Sequence, residues 1–177
     1  VYEIGDYLFG KPSRITASVY SGKGGVINVE REARLSGNLH AKGVLIISGF
    51  LGRTFAQKRS LSLTVSVCFE QSYGYVDGDS ASSTELFTIL SALAAVPIKQ
   101  GFAVTGSVNQ LGDIQPIGGV NEKIEAWFLL CKERGLTGEQ GVIIPRANIA
   151  NLMLKEEVVE EVRRGQFHVY PISRVEE

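Results

Sequence analysis

Residues 62–97 change hydrophobic period once, from two to about 3.6, across a polar turn, which restricts the chain to folds where a strand feeds directly into a helix. Leu63, Val65, Val67 and Phe69 alternate with Thr64, Ser66 and Cys68, as the two faces of a strand do. After the glycine-containing turn 74–83, Leu86, Ile89, Leu90, Leu93 and Ala94 recur at helical spacing. The run stops at Val96-Pro97, because proline disfavours helix at the residue before it. The turn therefore delivers Ser80 to a helix start, where unpaired N–H groups point outward and the dipole favours negative charge. Two readings stand for such a hydroxyl. It is a plain N-cap, since Asp and Ser are the usual capping residues, or it is a nucleophile whose attack creates an oxyanion.

The remaining segments switch period in the same way. Residues 13–20 and 26–32 alternate on either side of Ser21-Gly22-Lys23-Gly24-Gly25 and predict a β-hairpin; that glycine run lacks the spacing of a phosphate loop. Residues 37–55 read as a buried helix whose Gly43, Gly49 and Gly52 imply close packing. Residues 102–108, with Thr105 inside, predict one short strand, and 114–117 a second after a turn at 110–113. Asn121 reads as the N-cap of a helix that carries Ile124, Phe128 and Cys131 inward and stops at Arg134-Gly135. A buried strand at 141–145, a charged amphipathic helix at 156–164 and a last strand at 167–172 follow. Interleaved strands and helices predict an α/β (α+β) fold, a mixed sheet with packed helices. The expected organisation is a single domain over 1–177, and a first residue other than Met suggests the C-terminal fragment of a longer chain.

Composition narrows the function. With 177 residues, 44% of them hydrophobic, the chain can bury one sizeable core. A net charge of -1 supplies no electrostatic footprint for nucleic acid or an anionic membrane surface, and no apolar run reaches the ~18 residues of a membrane span. The expectation is a soluble cytoplasmic protein with no nucleic-acid or membrane partner in this domain. Cys68 and Cys131 stand alone, without metal-ligand spacing, and are expected as buried thiols of a reducing compartment, with no metal site.

A hydrolytic serine needs a base. His40 and His168 are the two histidines, one near a helix start and one in an apolar strand, and each reads as a structural or surface imidazole. The other solution is a lysine that is neutral at working pH. Lys123 fits by position: in the first turn of its helix the dipole disfavours a second positive charge, and burial acts in the same direction. A base near neutrality needs its pKa depressed by roughly 2 to 3 units from the free value of about 10.4. The plain alternative is a solvated Lys123 paired with Glu122 or Glu125.

Three ordered motifs now carry a resemblance: Asp77-Gly78-Asp79-Ser80-Ala81-Ser82, then Thr105-Gly106-Ser107, then Pro116-Ile117-Gly118-Gly119-Val120-Asn121-Glu122-Lys123-Ile124-Glu125-Ala126. With the step of 43 residues from Ser80 to Lys123, and Gly141-Val142-Ile143-Ile144-Pro145 before Asn148, the chain resembles the proteolytic domain of Lon proteases. The acidic flank Asp77-Gly78-Asp79 is similar to the archaeal-type branch and to bacterial Lon-related proteases. The resemblance implies a fold like the ribosomal protein S5 domain 2-like architecture and a serine endopeptidase with a Ser-Lys dyad, Ser80 as nucleophile and Lys123 as general base. It implies that Thr105 orients the lysine, that backbone N–H groups around Asp79 and Ser80 bind the oxyanion, and that Gly118 and Gly119 allow the tight return to Lys123. Asp79 is expected to pair with or displace Lys123 in a resting arrangement, Asp77 to gate or simply to hold the turn, and Glu70 and Gln71 to line the cleft. Protein substrates, a homo-oligomeric hexamer and ATP dependence are further implications. No cofactor belongs to this domain; ATP and Mg are implied only for an ATPase segment elsewhere. The competing expectation is a non-catalytic Lon-like scaffold for assembly.

Overall fold

Strand 63–70 owes its central place to burial on both edges and one face. In a computed structural model that describes residues 1–58 and 60–177, Val65, Val67 and Phe69 point into a core, and strands run along both sides of this one. The elements in order are β1 (Tyr2–Ile4), β2 (Tyr7–Phe9), β3 (Arg14–Ser21), β4 (Gly25–Asn28), α1 (Val29–Glu32), α2 (Asn38–Phe55), β5 (Leu63–Glu70) and α3 (Ser82–Ala94). There follow β6 (Phe102–Val104), β7 (Ser107–Val108), β8 (Ile114–Gln115), α4 (Val120–Arg134), β9 (Gln140–Pro145), a 3-10 helix (Arg146–Asn151), α5 (Glu156–Arg163) and β10 (Phe167–Ile172). The class is the expected mixed α/β arrangement, with parallel and antiparallel pairs.

The first sheet has the order β3-β5-β4, β5 being antiparallel to β3 and parallel to β4. The hairpin expected from 13–20 and 26–32 is therefore not formed, although both strands exist. Gly22 N–H donates to the Ser62 carbonyl and Gly24 N–H to Thr64 Oγ1, so the intervening loop crosses the start of β5, which lies between the two strands. Alternation identifies a strand and leaves its partner open. The second run also ends early, because Asn28 Oδ1 accepts from Arg31 N–H at 2.9 Å and starts α1. Helices α2 and α3 cover this sheet, with Ile47, Phe50, Leu51, Leu86 and Ile89 in one apolar cluster.

A second sheet, β10-β9-β6, is wholly parallel. Its buried Val142 and Ile144 meet Val120, Ile124 and Phe128 of α4, Val158 of α5 and Phe167 of β10. The single strand expected over 102–108 is two strands in different sheets, broken at Thr105-Gly106. That break joins the two cores: Thr105 N–H donates to the Ile143 carbonyl, Gly106 N–H to the Ser80 carbonyl, and Ser83 N–H to the Gly106 carbonyl. Cys131 is buried as expected, whereas Cys68 is only half-buried. No helix among the described residues is long and apolar enough to cross a membrane.

Candidate active site

Ser80 is not the N-cap of its helix. The chain turns once more after it: Ser82 N–H closes on the Asp79 carbonyl, Ala81 occupies the cap position, and the helix begins at Ser82. Further along, Ser82 and Ser83 are buried and spend their hydroxyls on the neighbouring backbone, Ser82 Oγ accepting from Val108 N–H and Ser83 Oγ donating to the Gly106 carbonyl. Of these three serines, Ser80 alone has no backbone partner for its hydroxyl among the described residues. It faces a lysine instead.

Lys123 Nζ lies 3.1 Å from Ser80 Oγ and 3.3 Å from Thr105 Oγ1, donating to both as an ammonium. Thr105 Oγ1 in turn donates to the Ser80 carbonyl at 3.3 Å, so its own hydrogen is committed and its lone pairs face the lysine. The threonine can sit there because the chain leaves β6 at this point. Lys123 is seated by the opposite core, since α4 presents Val120, Ile124 and Phe128 inward and holds the lysine at the edge of that face. Burial lowers the Lys123 pKa, and the nearby charges of Asp79 and Glu122 oppose that shift. The lysine makes no ion pair among the described residues. The pairing with Glu122 or Glu125 that a solvated lysine would adopt is absent there, and Glu125 instead pairs with Lys155 at 2.9 Å.

The α4 start also differs from expectation. Gly119, with φ of 66°, holds the cap position, and Lys123 N–H makes the first helical bond to its carbonyl. A left-handed residue is needed there, which explains the glycine. Gly118 is not left-handed and a Cβ on it would meet open space, so the structure gives no comparable reason for that glycine. Asn121 caps nothing; its side chain donates to the Asn151 carbonyl and accepts from Met153 N–H. Asn148 has a role the motif reading did not assign. It is buried and clamps Ile117 through both backbone groups, at 3.0 Å each, fixing the approach to Gly118-Gly119.

Asp79 is exposed and lies beside Lys123 without pairing with it. Asp77 serves the other helix: its Oδ1 accepts from His40 N–H at 3.3 Å, capping α2, and Gly37 has no side chain because a Cβ there would collide with that carboxylate. Glu70 and Gln71 do not line the cleft. Glu70 accepts from Thr16 Oγ1 on the neighbouring strand, and Gln71 takes a left-handed φ of 56° at the end of β5. His168 Nε2–H donates to the Gly138 carbonyl at 2.8 Å, far in sequence from the dyad, and His40 is buried. Neither imidazole contacts Ser80.

The dyad opens into a cleft of about 1850 Å³ that runs between α3 and β6 and is lined beside the two residues by Phe69, Phe87, Val104, Trp127 and Ile143. Trp127 is one turn beyond Lys123, and its Nε1–H is buried with no partner among the described residues. The N–H groups of Asp79, Ser80 and Ala81 likewise have no protein acceptor among them.

Set beside known proteins, residues 69–177 match the family described as Lon protease (S16) C-terminal proteolytic domain. A Lon protease homolog of Escherichia coli is 49% identical over 94% of the chain, and one of Haemophilus influenzae is 46% identical over 94%. The archaeal Lon protease of Archaeoglobus fulgidus is 31% identical over 93%. The chain spans 28% of each bacterial relative and 24% of the archaeal one.

Proposed function

Because the chain belongs to the Lon protease (S16) family, through the C-terminal proteolytic domain, we propose that it is a serine endopeptidase module in which Ser80 is the nucleophile and Lys123 the general base. The observation that carries this reading is the 3.1 Å contact between Lys123 Nζ and Ser80 Oγ in a half-buried, largely apolar cleft. In the neutral amine the polarity of that contact reverses, and the serine hydroxyl donates to the Nζ lone pair. Lys123 takes the proton as Ser80 Oγ attacks the peptide carbonyl, then returns it to the leaving amine. Water hydrolyses the resulting acyl-serine by the same route. Thr105 steers the lone pair: it accepts one amine hydrogen and cannot itself donate to Nζ while its proton is held by the Ser80 carbonyl. The N–H groups of Asp79 and Ser80, without a protein acceptor among the described residues, supply oxyanion donors, each worth about 3 kcal/mol in the transition state.

Asp79 opposes this chemistry, because its charge favours the ammonium form of Lys123. Asp79→Asn should raise the rate of peptide hydrolysis near neutrality and move the acid limb of kcat/KM to lower pH. The shift should be under about one unit and shrink with salt, since an exposed charge is screened. An unmoved limb at low ionic strength, or a loss of activity, counts against the inhibitory role.

For the whole protein, we extend the reading to unfolded or regulatory protein substrates, a homo-oligomeric hexameric ring, a cytoplasmic setting and dependence on ATP and Mg bound by a segment outside these residues. The near-neutral charge and the apolar cleft support peptide rather than nucleic acid as the ligand. The direct test is a fluorophosphonate probe on the full-length protein, with the site read by peptide mass spectrometry. Ser80 should carry the adduct and Ser80→Ala none. A wild-type protein that is unlabelled and leaves a denatured protein substrate uncut would return the chain to the scaffold reading.

A further inference from the structure

Behind the Ser80 turn, four buried polar side chains from four segments meet in one cluster. Asn28 closes β4, Glu30 lies in α1, His40 in the first turn of α2, and Glu85 in the first turn of α3; all are at most 3% exposed. Asn28 is the hub. Its Nδ2 donates to Glu85 Oε1 at 3.0 Å, while its Oδ1 accepts from Arg31 N–H and lies 3.3 Å from His40 Nε2. His40 Nε2 is also 3.7 Å from Glu85 Oε1. His40 also reaches the catalytic turn, its backbone N–H donating to Asp77 Oδ1, three residues before Ser80. Glu85 itself rides on the helix that Ser80 introduces.

We propose that Asn28, His40 and Glu85 form a buried positioning relay for the turn that carries Ser80, which holds that turn in place while its two titratable members are uncharged. This rests on the reading of Ser80 as the nucleophile. A neutral imidazole has one hydrogen and one lone pair. Asn28 Oδ1 can only accept, so the contact at 3.3 Å places that hydrogen on Nε2, and through Asn28 the imidazole and the Glu85 carboxyl hold one another in place. An ionised Glu85 would place a second buried carboxylate close to Glu30, and Glu30 Oε2 and Glu85 Oε2 both lack partners among the described residues.

The charged and titratable groups that face the cluster are Glu30 from α1, His40 from α2, Cys68 from β5 and Asp77 from the turn. Burial, with the Glu30 charge adding to it, pushes the Glu85 carboxyl up to about 8. Burial pushes His40 down, against the charges of Glu30 and Asp77. Burial likewise raises the Cys68 thiol, with Glu30 and Glu70 adding to it. At neutral pH both relay members are uncharged, and Glu85 is the first of the two to change as pH rises.

The expected signature is an alkaline loss of kcat in the full-length protein. Glu85→Gln reproduces the uncharged carboxyl in shape and keeps the acceptor for Asn28, so it should retain most of the activity at pH 7 and lack that loss. The ratio of the two rates cancels the contribution of Lys123, which is common to both, and should reach about tenfold in favour of glutamine at pH 9 with KM unchanged. Glu85→Ala, which leaves Asn28 Nδ2 unpaired, should lower kcat at every pH. Amide exchange of residues 74–84, corrected for intrinsic rates, gives a readout independent of turnover: protection should fall above pH 8 in the wild type and stay level in Glu85→Gln. A rate ratio that is flat with pH, or superimposable exchange, overturns the relay. Absence of the Ser80 adduct with the exchange difference retained overturns instead the catalytic role of the serine.

Discussion

Lys123→Arg should lower kcat for peptide hydrolysis by about ten-thousand-fold while leaving the fold intact. Arginine keeps the charge and much of the reach, but its guanidinium stays protonated at any working pH and cannot accept the Ser80 proton. Lys123→Met should lose as much, because it fills similar space and has no lone pair of adequate basicity. The two variants together separate charge from proton transfer. If the lysine served only as a fixed positive charge for the oxyanion, arginine would keep activity and methionine would not. Burial that lowers the Lys123 pKa places the acid limb of the wild-type profile below the value of a free lysine, and activity should rise as pH passes through that limb. The check is kcat from active-site-normalised peptide hydrolysis together with the urea midpoint of each variant. Arginine within about tenfold of wild type would remove Lys123 from the role of base.

The pairing of Ser80 with Lys123 was legible because it rests on motif spacing, which survives ignorance of the path between them. The path was not legible. A period of two marks 13–20 and 26–32 as strands, yet it carries no record that β5 lies between them, because partner choice depends on the loop crossing at Gly22 and Gly24. Thr105 reads as a strand residue by composition, and the break at Thr105-Gly106 appears only when Gly106 is seen to bond Ser80 and Ser83. Asn121 has the chemistry of a cap but is drawn to Asn151 and Met153, whose proximity is tertiary. Asp77 caps a helix that begins 39 residues earlier in the chain, through a contact with His40 separated from it by 37 residues. Glu85 did leave a signal. It lies three residues before Thr88 and four before Ile89, on the face that carries Ser82, Leu86 and Ile89 inward. A carboxylate within an apolar stripe implies a buried partner, and here that partner is Asn28.

Phe128→Ala should destabilise the protein by about 3–5 kcal/mol, the range for truncating a fully buried aromatic. Phe128 is inaccessible to solvent and meets Phe167 edge-to-face, the ring centroids 5.3 Å apart. It stands on the face of α4 shared with Val120, Ile124 and Cys131, packed on the parallel sheet through Val142 and Ile144. Neither Phe167, on a strand bonded to β9, nor α4, tied at its start by the Gly119 turn, can move far enough to fill the space. The loss should appear as a lower urea midpoint, and Phe128→Leu should recover more than half of it because it restores most of the volume. Below the unfolding transition the same variant should still be labelled at Ser80, since Lys123 is five residues away and held by its own contacts to Ser80 and Thr105. Lys123→Arg has the opposite profile, an unchanged midpoint with activity gone. A Phe128→Ala protein destabilised by less than about 1 kcal/mol would mean that this core does not carry α4. One that unfolds early and also loses labelling while folded would mean that the lysine is placed by the packing beneath it, more than by the two hydroxyls it touches.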